Sequence, residues 1–437
     1  MKLVFTTVAF LFIFFLTSCK KDKKDTQSPT ITYISPTNGQ AYKMFDTIAV
    51  NARVGDNVHL SYVTVTLTDA NHSALQASYS VPITSTDFIF NIQYILTQFH
   101  LASGNYLMQI TADDGYNTTS SYQSIYITES PTQLWGYCTV LKNATQTINQ
   151  VDTINSVISS ISLSQMYNGM KYGAYNQQLY VNGKNTQSFQ SFYIQPQISK
   201  ALTYAASASI SQQDYTCIFT DGYKPYVGFL NGDVYSFTSN GAYSTSYRLN
   251  DQNFYPYYFT TTSAYGIGIF KSKIATVSDK IVSFGAFGGV FNSLPLGGNT
   301  AIANVVAVFE KSQDSLYILG NDATNQAVIG FYTPSNNTFS NFSISGSGKM
   351  LSATKVNKEY ILIATTTGIY PVLGLSLNAS LSPSVAQKLS YQAKLNRLTT
   401  ASNTSLNSYY VATNSLSLIS TKVLTDSIID FEVITNK

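Results

Sequence analysis

A short apolar segment, usually with tyrosine, recurs from Leu134 to the end of the chain. No other feature narrows the fold as much. Its copies are Leu134-Trp135-Gly136-Tyr137, Leu179-Tyr180-Val181, Val234-Tyr235-Ser236-Phe237, Ile281-Val282-Ser283-Phe284, Leu316-Tyr317-Ile318-Leu319, Tyr360-Ile361-Leu362-Ile363 and Tyr409-Tyr410-Val411. Their first residues are 45, 55, 47, 35, 44 and 49 positions apart. The mean of about 46 falls within the roughly 40–50 residues of a propeller blade. A four-stranded sheet has two faces and cannot hide both alone. Stacking sheets radially buries each against its neighbours, and closing the ring leaves only short edges. The spacing therefore predicts an all-β chain with a β-propeller over 130–437. Seven blades fit best, and six or eight lie within the scatter. The competing architecture is an irregular β-sandwich or solenoid. The segments carry no Trp-Asp, Gly-His or kelch-type signature, so no named propeller family is assigned.

Composition agrees. Tyrosine numbers 33, and only 11% of residues are charged. Aromatic and β-branched residues favour strands, and Ser, Asn and Gly favour their turns. One helical candidate stands out at 145–163, where Ile148, Val151, Ile154, Val157 and Ile161 fall at helical spacing. Lysine plus arginine total 25 against 22 acids, too balanced a charge to recruit nucleic acid.

Residues 29–129 read as a separate β-sandwich. Thr47–Val54, Tyr62–Leu67 and Tyr106–Ala112 alternate apolar and polar residues, with turn residues between them. Pro29-Thr30-Ile31 opens the unit, Asp56-Asn57-Val58-His59-Leu60 precedes one strand, and Asp113-Asp114-Gly115-Tyr116-Asn117 precedes the last. This order resembles the bacterial Ig-like modules of secreted proteins, whose common string is Asp-Asn-Val-Gly-Leu. His59 stands where glycine is usual. The resemblance implies an Ig-like module of about a quarter of the chain.

The N-terminus addresses the protein. Met1-Lys2 is followed by an apolar run from Leu3 to Leu16 and then Thr17-Ser18-Cys19. This is a secretory leader over 1–18, and it falls short of the roughly 20 apolar residues a membrane span needs. Leu16-Thr17-Ser18-Cys19 resembles the lipobox of bacterial lipoproteins, which implies that Cys19 is acylated and becomes the mature N-terminus. Multiple acyl chains would make the membrane anchor stable. The charged stretch 19–28 has nothing apolar to pack and reads as a flexible tether, with a reach of about 15–20 Å. The Ser-Cys-Lys-Lys-Asp start is similar to envelope lipoproteins of the Bacteroidota, which implies an outer-membrane address with either leaflet open. Asp46-Thr47-Ile48, Asp152-Thr153-Ile154, Asp314-Ser315-Leu316 and Asp426-Ser427-Ile428 resemble the O-glycosylation sequon of such envelopes.

The chemistry is sparse. His59, His72 and His100 all precede the propeller region. That region therefore lacks the histidine of nucleophilic triads and of zinc or copper sites. Its thirteen acids sit mostly in turns, where aspartate bonds to local backbone. Asp56, Asp113 and Asp114 supply oxygen that suits calcium, but without an EF-hand pattern. The reading taken is no catalytic residue, no metal and no cofactor. Cys138 and Cys217 lie in separate strands and read as buried thiols rather than a bridge.

The densest aromatic tract runs from Tyr243 to Tyr265. Within it, Tyr247, Arg248, Tyr255, Tyr257 and Tyr258 are the candidate binding surface, since tyrosine offers stiff contact area with a polar tip. Packing between blades would use the same residues. The sequence thus predicts a lipid-anchored envelope protein that binds a glycan or an envelope protein. One alternative is a carbohydrate-active propeller using two carboxylates, with Asp221 and Asp251 as candidates. The other is a structural subunit of an outer-membrane complex.

Overall fold

The computed structural model describes residues 25–436, apart from 99, 145, 154–155, 164–165, 184–187, 195–197, 206–214, 298–301, 345–346, 375 and 383. The leader, Cys19 and residues 20–24 lie outside this range. The chain divides into two units, Met1–Pro131 and Thr132–Lys437. Among the described residues its regular structure is all strand apart from a single 3-10 turn at Ala393–Leu395. Among the described residues no helix is long and apolar enough to cross a membrane.

The first unit contains β1 (Thr30–Ser35), β2 (Gln40–Lys43), β3 (Thr47–Gly55), β4 (Tyr62–Thr68), β5 (Tyr79–Pro82), β6 (Asp87–Ile95), β7 (Gly104–Asp113) and β8 (Thr118–Thr128). They form a three-stranded sheet, β1-β3-β6, and a five-stranded sheet, β2-β8-β7-β4-β5. The chain changes sheet at Ser35-Pro36, where β1 leaves β3 and β2 joins β8 in parallel. Alternation builds the core. Ile48, Val50, Ala52 and Val54 of β3 are fully buried and share one cluster with Val63 and Val65 of β4 and Met108 and Ile110 of β7. The turn after β3 accommodates His59 because its φ is not positive, so the position does not require glycine.

The second unit opens with β9 (Leu134–Leu141), β10 (Thr147–Val151) and β11 (Val157–Ser162). Its second sheet holds β12 (Tyr167–Gly173), β13 (Gln178–Gly183), β14 (Ser188–Tyr193) and β15 (Ser199–Ala205). The third holds β16 (Tyr215–Thr220), β17 (Pro225–Phe229), β18 (Asp233–Phe237) and β19 (Tyr243–Arg248), and the fourth β20 (Phe254–Thr261), β21 (Gly266–Ser272), β22 (Lys280–Phe284) and β23 (Val290–Pro295). The fifth holds β24 (Asn304–Ser312), β25 (Ser315–Asn321), β26 (Ala327–Thr333) and β27 (Thr338–Ser343), and the sixth β28 (Met350–Lys355), β29 (Tyr360–Thr365), β30 (Gly368–Leu373) and β31 (Ser376–Leu377). The seventh holds β32 (Lys388–Gln392), β33 (Arg397–Ser402), β34 (Ser405–Ala412) and β35 (Ser415–Val423). The last strand, β36 (Ile428–Thr435), returns to pair antiparallel with β9, completing the first sheet in the order β11-β10-β9-β36.

Apolar burial explains this arrangement. Separate buried clusters bridge consecutive sheets: Cys138 and Ile148 with Leu179, Phe189 with Phe229, Tyr226 with Phe284 and Ile269 with Ile318. Leu319 meets Ile363, and Leu362 meets Leu398. A final cluster of Ala401 and Leu406 with Tyr137 and Phe431 joins the last sheet to the first. Each sheet thus covers both faces against neighbours, as the period predicts.

The helix expected at 145–163 is not formed. Its described residues make β10 and β11, which pair antiparallel through Ile148↔Ile161. The Asp152 carboxylate accepts from the Ser156 amide at 2.9 Å and turns the chain. β-Branched residues at helical spacing lose rotamer freedom in a helix and pack better on a sheet. Cys138 in β9 and Cys217 in β16 are free thiols on different sheets, so they form no bridge. Residues 25–27, at the far end of the stretch expected to be a tether, are hydrogen-bonded to the first unit. The Gln27 amide donates to Asp25 Oδ1 at 3.0 Å, and Asn117 Nδ2 donates to the carbonyls of Asp25 and Gln27, which fixes residues 25–27 to the sandwich.

Candidate functional site

The first strands β12, β16 and β20 adjoin in turn, as do β24, β28 and β32, and β12 and β32 both adjoin β36, which brings charges together that are far apart in sequence. Lys171 Nζ of β12 donates to Glu432 Oε1 of β36 at 2.7 Å. Lys388 Nζ of β32 donates to the Phe431 carbonyl at 2.9 Å and pairs with Asp430. Glu432 lies 3.5 Å from the same ammonium. The Tyr167 hydroxyl donates to Asp430. Burial works to raise the Asp430 carboxyl, but Lys388 and Lys171 outweigh it and hold the pKa below its ordinary value. Burial works to lower the Lys171 ammonium, but Glu432 and Asp430 outweigh it and raise the pKa. Burial first, and Asp430 second, keep Tyr167 protonated. Each acid already has its cation and each base its anion. The network ties β12 and β32 to β36.

The turn acids behave likewise. Asp221 accepts from the Tyr223 and Lys224 amides at 2.9 Å each and from the Tyr226 hydroxyl at 2.8 Å. Asp251 accepts from the Asn253 amide at 3.1 Å and pairs with Lys280 at 3.1 Å.

The expected tyrosine surface is divided by the fold. Tyr247 is buried, its ring centroid 5.1 Å from Phe259 and 5.7 Å from Phe284. The Tyr257 hydroxyl accepts from the Val305 amide at 3.3 Å, and the Tyr258 hydroxyl bonds to the Val308 amide and carbonyl at 3.3 Å each. Both rings pack on the cluster between the fourth and fifth sheets. These three tyrosines are therefore inter-sheet packing, because burying large rings there stabilises the junction more than exposing them. Tyr255 is half-buried, and Arg248 is exposed.

Arg248 lines a cleft of about 610 Å³ with Asn250, Asp251, Lys280, Phe287 and Val290. Lys280 Nζ sits 3.6 Å above the Phe254 ring, which fixes one wall. The other wall is the β22–β23 hairpin tip. Gly288 has φ +79, and a Cβ there would stand 1.8 Å from the Ser246 carbonyl, so only glycine lets the tip approach β19 this closely. The Arg248 amide donates to the Gly288 carbonyl at 3.3 Å. Phe287, at the tip, is 100% exposed, and Val290 and Phe291 beside it are also exposed. The sequence reading missed Phe287. Its signal was a phenylalanine ahead of two glycines, Gly288-Gly289, in a turn.

In the first unit, Asp113 is taken up by the Tyr62 hydroxyl (3.2 Å), the Thr118 hydroxyl (2.8 Å) and the Gly115 amide (2.8 Å). Asp56 and Asp114 instead converge with Asp25. Of the four sequon hydroxyls, Thr47 and Thr153 are exposed, and Ser315 and Ser427 are half-buried.

No protein-family model and no curated protein matches the sequence. Solved structures with a similar fold include a functionally unknown protein from Desulfotomaculum acetoxidans, at 8% identity and TM-score 0.49, covering 70% of this chain and 99% of that one. A quinoprotein alcohol dehydrogenase-like protein from Bacteroides thetaiotaomicron matches at 13% identity and TM-score 0.47, covering 93% and 99%. BamB from Moraxella catarrhalis matches at 10% identity and TM-score 0.41, covering 70% and 94%. None of these likenesses is close enough to carry a function to this chain.

Proposed function

We propose that this chain is a cell-envelope lipoprotein, held at the outer membrane by an acylated Cys19, that binds a protein partner. In this reading the first unit is an Ig-like spacer and the second a seven-bladed β-propeller that presents the binding surface. The observation that carries it is Phe287, wholly exposed at a hairpin tip that Gly288 seats against β19, next to Arg248. An exposed aromatic beside an arginine has the composition of a binding hot spot. The paired state of Asp221, Asp251, Asp430 and Glu432 supports binding over catalysis. A glycan is the second reading, favoured by the polar side of the same cleft, with Arg248, Asn250 and Asp251.

The test is capture from detergent-solubilised envelopes by the full chain and by Phe287→Ala. The variant is expected to bind its partner at least about 30-fold more weakly, the loss at a hot spot. Equal capture by both forms removes the protein reading. Retention on a glycan array that Phe287→Ala abolishes supports the second. Mass spectrometry of the mature N-terminus tests the anchor separately, and an unmodified Cys19 sinks it.

A further inference from the structure

Asp25, Asp56 and Asp114 come from three separate stretches of the first unit and meet at one end of it. One carboxylate oxygen from each lies within 4.8 Å of the others. Two calcium–oxygen bonds of about 2.4 Å span that distance. Asp114 is fully buried and Asp25 is 9% exposed. None of the three is in an ion pair with a lysine or arginine among the described residues.

Local donors occupy only one oxygen of Asp25 and of Asp56. Asp56 Oδ1 accepts from the Val58 and His59 amides, and Asp25 Oδ1 from the Gln27 amide and Asn57 Nδ2. The second oxygens, Asp25 Oδ2 and Asp56 Oδ2, are buried without a hydrogen-bond partner. A buried carboxylate oxygen with nothing to accept from is costly. Two of them beside a third buried acid form a concentration of negative charge that the protein itself leaves uncompensated. Asp114 accepts from the Tyr116 and Asn117 amides at 2.6 Å each and from Asn117 Nδ2 at 3.1 Å, which fixes the orientation of its carboxylate.

The geometry points to a calcium site formed by Asp25, Asp56 and Asp114. Hard oxygen donors in an irregular arrangement suit calcium, with water and carbonyl oxygens completing six to eight ligands. Two of these acids arise from turns that open a strand, and the third from the segment just after the leader. The ion would therefore clasp Asp25 to the Asp56 and Asp114 turns and fix where the N-terminal segment leaves the sandwich. This assignment is independent of the Phe287 cleft and of the lipid anchor.

Calorimetric titration of the full chain, stripped with chelator, against calcium alone is the direct test. One ion per chain should bind, with a Kd at or below about 10⁻³ M. Calcium should also slow hydrogen exchange at residues 25–28, 56–60 and 114–117. Asp56→Asn should lose saturable binding. In chelator it should melt at or above the parent, since it relieves repulsion, and with calcium it should melt below it. Asp113→Asn, whose side chain turns away, should bind calcium like the parent. Absence of saturable heat, equal binding by Asp56→Asn, or magnesium binding as tightly as calcium would each overturn the assignment.

Discussion

The Lys171 ammonium donates to Glu432 at 2.7 Å across 261 residues of chain, tying the second sheet to the C-terminal strand of the first. Glu432 is 15% exposed. Its loss leaves Lys171 poorly compensated and weakens the neighbouring Lys388 contact. Glu432→Ala should destabilise the second unit by about 2–4 kcal/mol, near the cost of breaking a buried pair. Glu432→Gln keeps a hydrogen-bond acceptor and should cost less. The single tryptophan, Trp135 in β9, reports on this junction by fluorescence during urea melts.

The same network gives a pH dependence of known sign. The folded pKa of Asp430 lies below its ordinary value of 3.8, so the native state binds fewer protons there than the unfolded state. Its contribution is fully present above that ordinary value and is lost as pH falls through the folded pKa. Lys171 is raised above its ordinary 10.5. Its contribution is complete below that value and is lost only as pH rises beyond it. Between about pH 5 and 9 these two groups leave stability flat. Urea melts at pH 7 and pH 3 should show an acid loss that is smaller in Asp430→Asn than in the parent.

Ring closure depends on the final strand. Phe431 is fully buried in the cluster that joins the last sheet to the first, with the Lys388 ammonium 5.4 Å from its ring. Phe431→Ala should cost about 3–5 kcal/mol, the range for truncating a buried aromatic. In the same junction the Tyr137 and Ser408 hydroxyls lie 2.9 Å apart. Tyr137→Phe removes only that hydrogen bond and should cost about 1 kcal/mol. Denaturant midpoints by tryptophan fluorescence rank the two, and a milder effect from Phe431→Ala would contradict closure through this cluster.

The sequence repeat was legible because every sheet needs one strand apolar on both faces. The seven segments fall one to a sheet, in β9, β13, β18, β22, β25, β29 and β34. Their uneven spacing has a physical cause. β9, β13, β25 and β29 lie second from the edge that adjoins the neighbouring sheets, whereas β18, β22 and β34 lie third. The long interval of 55 runs from a second strand to a third, and the short interval of 35 runs back. The tyrosine tract was harder to read. A register shift between Pro256 and Tyr258 turns neighbouring residues of β20 inward, and no local pattern marks a bulge in advance. Asp25 was illegible for another reason. It stands in a charged stretch without apolar residues, and its partners Asp56 and Asp114 are distant in sequence.

The thiols should be inert in the native state. Burial pushes the Cys138 thiol well up and the Cys217 thiol up to about 12. Thiolate, not thiol, attacks reagents. Both should therefore react with an aromatic disulfide reagent only in denaturant, and at one equivalent each. Fast native labelling of Cys138 would mean that β9 is not buried between sheets.

The hairpin at the cleft separates two effects that are easily confused. Phe287 is wholly exposed, so Phe287→Ala removes contact area without removing packing, and stability should change by no more than about 0.5 kcal/mol. Gly288→Ala meets both a positive φ and the Ser246 carbonyl at 1.8 Å. It must push the tip off β19 and should cost about 1–3 kcal/mol. If the cleft is the binding surface, both variants lose partner capture, but only Gly288→Ala also lowers the melting temperature. A Gly288→Ala protein that melts early yet captures its partner fully would move the binding surface elsewhere on the second unit.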